Sequence, residues 1–190
     1  VEKISRVLDI GCGRGAFLEF LPFKEKYGVD ISRSAVNEAK KRGIDARVVD
    51  IETEKLPYES NFFDIIFCME ILEHLLDASI LFSEVRRVLK PGGYFYITVP
   101  NQLFILVNRM SILTGKYNLL DKDPYHARHI RFFKKSVLRD LVSSKGFKIV
   151  YVGGLPFRFR GRSLGVLGEV LANRFTDALV DYTLLARKPK

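Results

Sequence analysis

The stretch Val7-Leu8-Asp9-Ile10-Gly11-Cys12-Gly13-Arg14-Gly15 joins a short apolar run to three glycines that alternate with other residues. So brief an apolar run suits a buried strand. Glycines directly after it let the backbone take positive φ and bring main-chain N–H groups close to a ligand that any Cβ would hold off. The turn therefore reads as a cradle for a bound molecule. Its glycines alone leave the ligand class open: Gly11, Gly13 and Ala16 satisfy G-x-G-x-x-A, and Asp30 follows about 20 residues on, where a dinucleotide site carries its acid. Asp9 shifts the balance. A carboxylate at the strand end suits a ligand with positive charge and repels the pyrophosphate that a dinucleotide would place at this turn.

Outward from that turn, short apolar runs alternate with longer amphipathic segments through the first hundred residues, the rhythm of β-α-β units around a mostly parallel sheet. Strands are predicted at Arg6–Ile10, Tyr27–Asp30, Ala46–Val49, Phe63–Cys68 and Gly93–Val99. A helix over Ser32–Arg42 starts at a serine N-cap, sets Ala35, Val36 and Ala39 on one face and stops near Gly43. A second over Ala78–Lys90 carries Ile80, Leu81, Val85, Val88 and Leu89 at helical spacing and ends at Pro91-Gly92-Gly93. A third over Lys134–Lys145 turns Val137, Leu138, Leu141 and Val142 inward, and Phe147–Val152 and Val180–Arg187 read as later strands. Two segments break the rhythm as insertions, at about 101–130 and about 155–179. Ligands in such sheets sit beyond the carboxyl ends of the strands, so the first insertion is placed to cover the site.

The 190 residues suit a single domain spanning 1–190, large enough to bury about 70% of its unfolded surface. There is no run of about 18 apolar residues and no basic segment leading into an apolar one, so neither a membrane span nor a signal peptide is expected and the chain reads as cytoplasmic. Cys12 and Cys68 have neither disulfide-framework nor metal-ligand spacing and read as small buried residues in a reducing compartment. The charge is lopsided. Residues 1–100 carry 14 Lys and Arg against 16 Asp and Glu, whereas residues 101–190 carry 17 against 6, a net of +11. A basic half of this kind fits an anionic substrate, an acidic partner, nucleic acid or a lipid headgroup, as well as a plain solvated face.

Five segments in order resemble the motifs of the class I S-adenosylmethionine-dependent methyltransferases, in particular the small-molecule branch that includes the ubiquinone and menaquinone biosynthesis enzymes. They are Val7–Gly15, Tyr27-Gly28-Val29-Asp30-Ile31-Ser32, Val49-Asp50-Ile51, Asp64–His74 and Leu89-Lys90-Pro91-Gly92-Gly93. The resemblance covers most of the chain. It implies an α/β fold with a Rossmann-like, doubly wound, seven-stranded sheet, mostly parallel with helices on both faces, whose antiparallel last strand lies beside the fifth. It also implies S-adenosylmethionine as cofactor, which agrees with the cation expected at Asp9.

Roles follow from the resemblance. Gly11 and Gly13 would pass the methionyl part of the cofactor, Asp9 would order its ammonium, and Met69 and Glu70 would line it. Asp30 would take both ribose hydroxyls, since a carboxylate offers two acceptors to two donors. Asp50 would accept from the adenine amine, with Ile31 and Ile51 enclosing the ring. His74 is the first candidate for a base acting on the methyl acceptor, or else supports the cofactor pocket. His129 and Arg131, before the third helix, are candidate acceptor-facing residues. The pair His126 and His129 lacks a third ligand, and no metal is expected.

Methyl transfer to a small or lipid-like, anionic acceptor is the leading expectation. A cofactor-binding regulator without transfer activity and an RNA methyltransferase are the rivals. The alternation Phe157-Arg158-Phe159-Arg160-Gly161-Arg162 suits stacked bases, anionic lipid or a packed lid. Nucleic acid is not favoured, because the exit of the fourth strand reads Cys68-Met69-Glu70 rather than the Asn/Asp-Pro-Pro-aromatic tetrad of amine-methylating base enzymes. An apolar face over Leu164–Phe175 would allow a homodimer.

Overall fold

The computed structural model describes residues 5–101, 131, 133–155 and 181–190. The expected insertions, with His126, His129, Phe157–Arg162 and Leu164–Phe175, lie outside the described residues. The strands are β1 (Arg6–Ile10), β2 (Glu25–Asp30), β3 (Asp45–Val48), β4 (Phe63–Met69), β5 (Leu89–Pro100), β6 (Lys148–Leu155) and β7 (Asp181–Arg187). They form one sheet in the order β3-β2-β1-β4-β5-β7-β6. The first five run parallel, and β7 is antiparallel to both β5 and β6.

The strand order reverses at β1. Val7, Leu8 and Ile10 there are wholly buried, as expected of a central strand covered on both faces, which reads as a continuous apolar run. Ile10 pairs with Val29 on one side and Cys68 on the other, so β1, β2 and β4 finish nearly level. Their carboxyl ends, at the switch in strand order, form the floor of the site.

Helices α1 (Ala16–Phe20), α2 (Arg33–Lys41), α3 (Ser79–Val88) and α4 (Lys135–Ser144) flank the sheet. Ser32 caps α2, its Oγ accepting from the Ala35 N–H. Two apolar clusters result. Val7, Leu18, Val36, Ala39, Ile44 and Phe67 make the smaller one, while Leu8, Ile10, Ile66, Phe82, Val85, Phe95, Leu138 and Val142 belong to the larger.

Local expectations change at several places. Helix α3 stops at Val88 rather than at Lys90, because a residue before proline disfavours helical geometry, and Leu89 instead pairs with Phe63 to open β5. Ile80 and Val137, expected inward, are 38% and 51% exposed. Each lies in the first turn of its helix, before the buried face of Leu81 and Val85, or of Leu138 and Val142, begins. Strand β3 ends at Val48, one residue early, with Val49 still buried.

Candidate active site

Gly11, Gly13 and Gly15 all take positive φ, at 77°, 51° and 79°. The N–H groups of Gly11 and Cys12 both donate to the Val29 carbonyl, at 2.8 and 3.0 Å, and this ties the turn to β2. A Cβ on Gly11 would lie 2.2 Å from Ile71 Cδ1, whereas one on Gly13 would meet nothing within 4 Å. Glycine thus serves a close approach at the first position and an open backbone at the second. Asp30, at the end of β2, fastens the far side: its Oδ2 accepts from the Gly13 N–H and its Oδ1 from the Ser32 N–H, each at 2.8 Å. Both oxygens keep further lone-pair capacity.

A cleft of about 720 Å³ opens against this turn. Its wall contains six of the residues singled out from sequence, namely Gly11, Asp30, Ile31, Asp50, Ile51 and His74. Ile31 is 70% exposed, an unusual cost for an isoleucine unless something covers it. The Asp50 side chain accepts from the Glu52 N–H at 3.0 Å, which holds the start of the loop after β3. Gly13 and Asp9 are not in the wall, although Gly13 bonds Asp30 directly. Met69 ends β4 half-buried, paired with Thr98, and is not in the wall either. Arg131 is exposed, and His129 lies outside the described residues.

Buried carboxyls gather behind the cleft. Asp9 is only 3% exposed, and burial, with the nearby charge of Asp30, pushes it up to about 7. Beyond β4, Glu70 has a positive φ of 55° and accepts from Thr98 Oγ1 at 2.7 Å. Glu73 is 1% exposed, and burial, reinforced by Glu70, raises it to about 8. Sequence reasoning did not single out Glu73. Its signal was an acid set within the apolar run Ile71-Leu72 and Leu75-Leu76, where burial of a carboxylate is costly. Glu52, Ile71 and Leu75, also unassigned from sequence, complete part of the wall.

The short 3-10 turn Leu72–His74 presents Ile71, His74 and Leu75 to the cleft and is held from two sides. Glu52 Oε1 accepts from the Leu76 N–H at 2.6 Å. Arg131 donates its backbone N–H to the Glu73 carbonyl at 3.2 Å and its guanidinium to the Leu76 carbonyl. Removing that guanidinium by Arg131→Ala costs about 1 kcal/mol, the net worth of one such bond, and lowers the thermal midpoint by about 2–4 °C. A midpoint unchanged in calorimetry would show that the turn does not depend on Arg131.

The chain matches the family model described as a methyltransferase domain over residues 8–97. A ubiquinone biosynthesis O-methyltransferase of Coxiella burnetii is 31% identical over 165 residues, covering 82% of this chain and 68% of that protein. This chain belongs to the class I S-adenosylmethionine-dependent methyltransferases. The enzyme of the same name from Marinobacter nauticus is 26% identical over 174 residues, covering 82% of this chain and 71% of its own. Among solved structures, a Thermotoga maritima methyltransferase, described as a possible histamine N-methyltransferase, superposes with a TM-score of 0.72 at 22% identity. It covers 99% of this chain and 84% of its own, and it bears on the fold alone.

S-adenosylmethionine is the methyl donor of the family, and the methyltransferase has the features to receive it. The turn is open at Gly13, and the Asp30 carboxylate is oriented by two N–H groups. The exposed Ile31 lies in one wall with Asp50 and Ile51. Among the described residues no helix is long and apolar enough to cross a membrane.

Proposed function

We propose that this methyltransferase acts on a hydroxyl of a small, lipid-like acceptor, with the cofactor held by Asp9, Gly11, Gly13, Asp30, Ile31, Asp50, Ile51 and Met69. The observation that carries the cofactor assignment is Asp30. Its two oxygens are each fixed by one backbone N–H beside the cleft, an arrangement suited to a vicinal pair of hydroxyls. When bound, S-adenosylmethionine supplies a methyl group on a sulfonium, open to in-line displacement by a nucleophile.

The protein's share is then alignment and exclusion of water, with little acid–base chemistry. The names of the relatives support oxygen as the nucleophile and a lipid-like acceptor, and the basic second half of the chain suits an anionic group on it. Transfer of a labelled methyl group to a prenylated catechol, absent in Asp30→Ala, tests this reading. Transfer to RNA instead, weakened steeply by salt, would replace it with the nucleic-acid reading.

His74 stands in one wall with Gly11, Asp30, Asp50 and Ile51, all assigned to the cofactor. That position favours support of the cofactor over service as the acceptor's base. His74→Ala is expected to raise the KM for S-adenosylmethionine about three- to tenfold, the loss of roughly one polar contact, with kcat nearly unchanged. A fall confined to kcat, together with loss of the acid-limb response of the pH profile, would make His74 the general base.

A further inference from the structure

The glycine turn explains how the cofactor site admits a ligand but not how it tolerates Asp9 when no ligand is there. Asp9 is nearly inaccessible, and among the described residues no N–H or O–H donates to it and no lysine or arginine pairs with it. A buried carboxylate in that position is costly. Its surroundings add negative charge. Asp30, at the end of β2, the strand paired with β1, adds its negative charge. From β4 on the other side comes Cys68, and from the glycine turn Cys12. Burial first, and then the charge of Asp9, pushes Cys12 up to about 12 and Cys68 well above its ordinary value, so both thiols stay neutral. The strand partners of Asp9 itself, Gly28 and Phe67, bring no charge.

The two acids are not equivalent. Asp30 accepts from two backbone N–H groups, which favour its charged form, whereas Asp9 has no such support. With no cation present, a proton on Asp9 removes both the buried charge and the repulsion from Asp30. A ligand ammonium reverses that preference, because the charged carboxylate then has an opposite charge to face.

We propose that Asp9 exchanges a proton for the ligand's cation: its carboxyl is protonated in the ligand-free enzyme and releases that proton to solvent as the ammonium end of the cofactor binds. This inference rests on the proposed cofactor assignment and deepens it. The site charge is thereby conserved, one proton leaving as one ammonium enters. A nucleoside without an ammonium triggers no exchange.

Burial and Asp30 put Asp9 at about 7, so the exchange is largest below neutral pH. The experiment is calorimetric titration with S-adenosylhomocysteine, which carries the ammonium without the sulfonium, at pH 6 and pH 8.5 in buffers of different ionisation enthalpy. Asp9→Asn and adenosine serve as controls. The expected release is about 0.9 proton per ligand at pH 6 and less than about 0.1 at pH 8.5. No release is expected from the variant or with adenosine. Affinity of the parent falls about tenfold per pH unit below 7.

Binding without proton release, or release that persists in Asp9→Asn, overturns the exchange and leaves the cofactor assignment intact. Failure of S-adenosylhomocysteine to bind at pH 8.5 overturns the cofactor assignment and the exchange with it. Carbon-13 NMR of aspartate carboxyls in the ligand-free enzyme gives a second readout that needs no ligand. One carboxyl titrating near neutrality and missing from Asp9→Asn is expected, and titration of every aspartate below pH 5 overturns the proposal.

Discussion

Asp30→Ala is expected to weaken binding of S-adenosylhomocysteine by roughly 30- to 150-fold, or about 2–3 kcal/mol, when measured by calorimetry at pH 8. Two effects combine. The first is direct: a carboxylate that accepts from both ribose hydroxyls provides two charge-assisted bonds, and alanine provides none. The second acts through the loop. Asp30 accepts from the N–H groups of Gly13 and Ser32, so its removal also frees the open side of the glycine turn and the entry to α2. Asp30→Asn separates the two contributions. An amide oxygen can replace one acceptor but not both, and binding intermediate between parent and Asp30→Ala is expected. A Kd within threefold of the parent in Asp30→Ala would sink the assignment of Asp30 to the ribose, whatever the fate of the fold.

Asp30 also shows why so much of the site was readable in the chain. The acid ends a β-strand, the glycines begin a turn, and Asp50 follows the next strand, so each position is set by local periodicity and by the register of parallel strands. β1 spans Arg6–Ile10 as expected, and its pairing with β2 and β4 brings Gly11 and Asp30 together without any long-range guess. The expected seven-stranded sheet with an antiparallel final strand beside the fifth is observed.

Readings failed where tertiary contacts outvoted local pattern. Helical spacing carries on through Leu89, but Leu89 is drawn into the sheet by Phe63. The bonds of Arg131 to the carbonyls of Glu73 and Leu76 could not be read from its neighbours in sequence. Glu73 was hidden because periodicity marks apolar faces and gives no account of a lone acid buried within one. The acceptor-facing expectation at His129 and the basic aromatic run Phe157–Arg162 fall on residues outside the described part of the enzyme.

Buried acids also shape how the whole fold responds to pH, and here the ligand-free enzyme is expected to melt about 6–12 °C higher at pH 5 than at pH 8. Asp9 and Glu73 sit at about 7 and about 8 when folded, against ordinary values of 3.8 and 4.5. Between those limits the folded chain holds protons that the unfolded chain has lost, so stability is fully present below about pH 4 and declines as pH rises through 7 and 8. Each tenfold gain in proton affinity on folding is worth about 1.4 kcal/mol. Allowing for relaxation around the charged acids, roughly 3 kcal/mol of the nominal sum gives the stated midpoint change.

At the acid end other pairs oppose this trend. Glu84 is held below its ordinary value by the guanidinium of Arg87. Asp64, despite partial burial, is lowered by bonds from the Arg6 N–H, Lys90 and the Ser5 N–H. Both lose their contribution as pH falls below about 4, so the optimum lies near pH 4. Glu73→Gln removes one buried acid and is expected to flatten the alkaline decline without moving the acid limb. A midpoint that rises between pH 5 and pH 8 would mean that these acids are charged in the folded enzyme and stabilised there by cations. Saturating S-adenosylhomocysteine should oppose the decline, raising the midpoint more at pH 8 than at pH 5, because the ligand binds the form of Asp9 that alkaline solution favours.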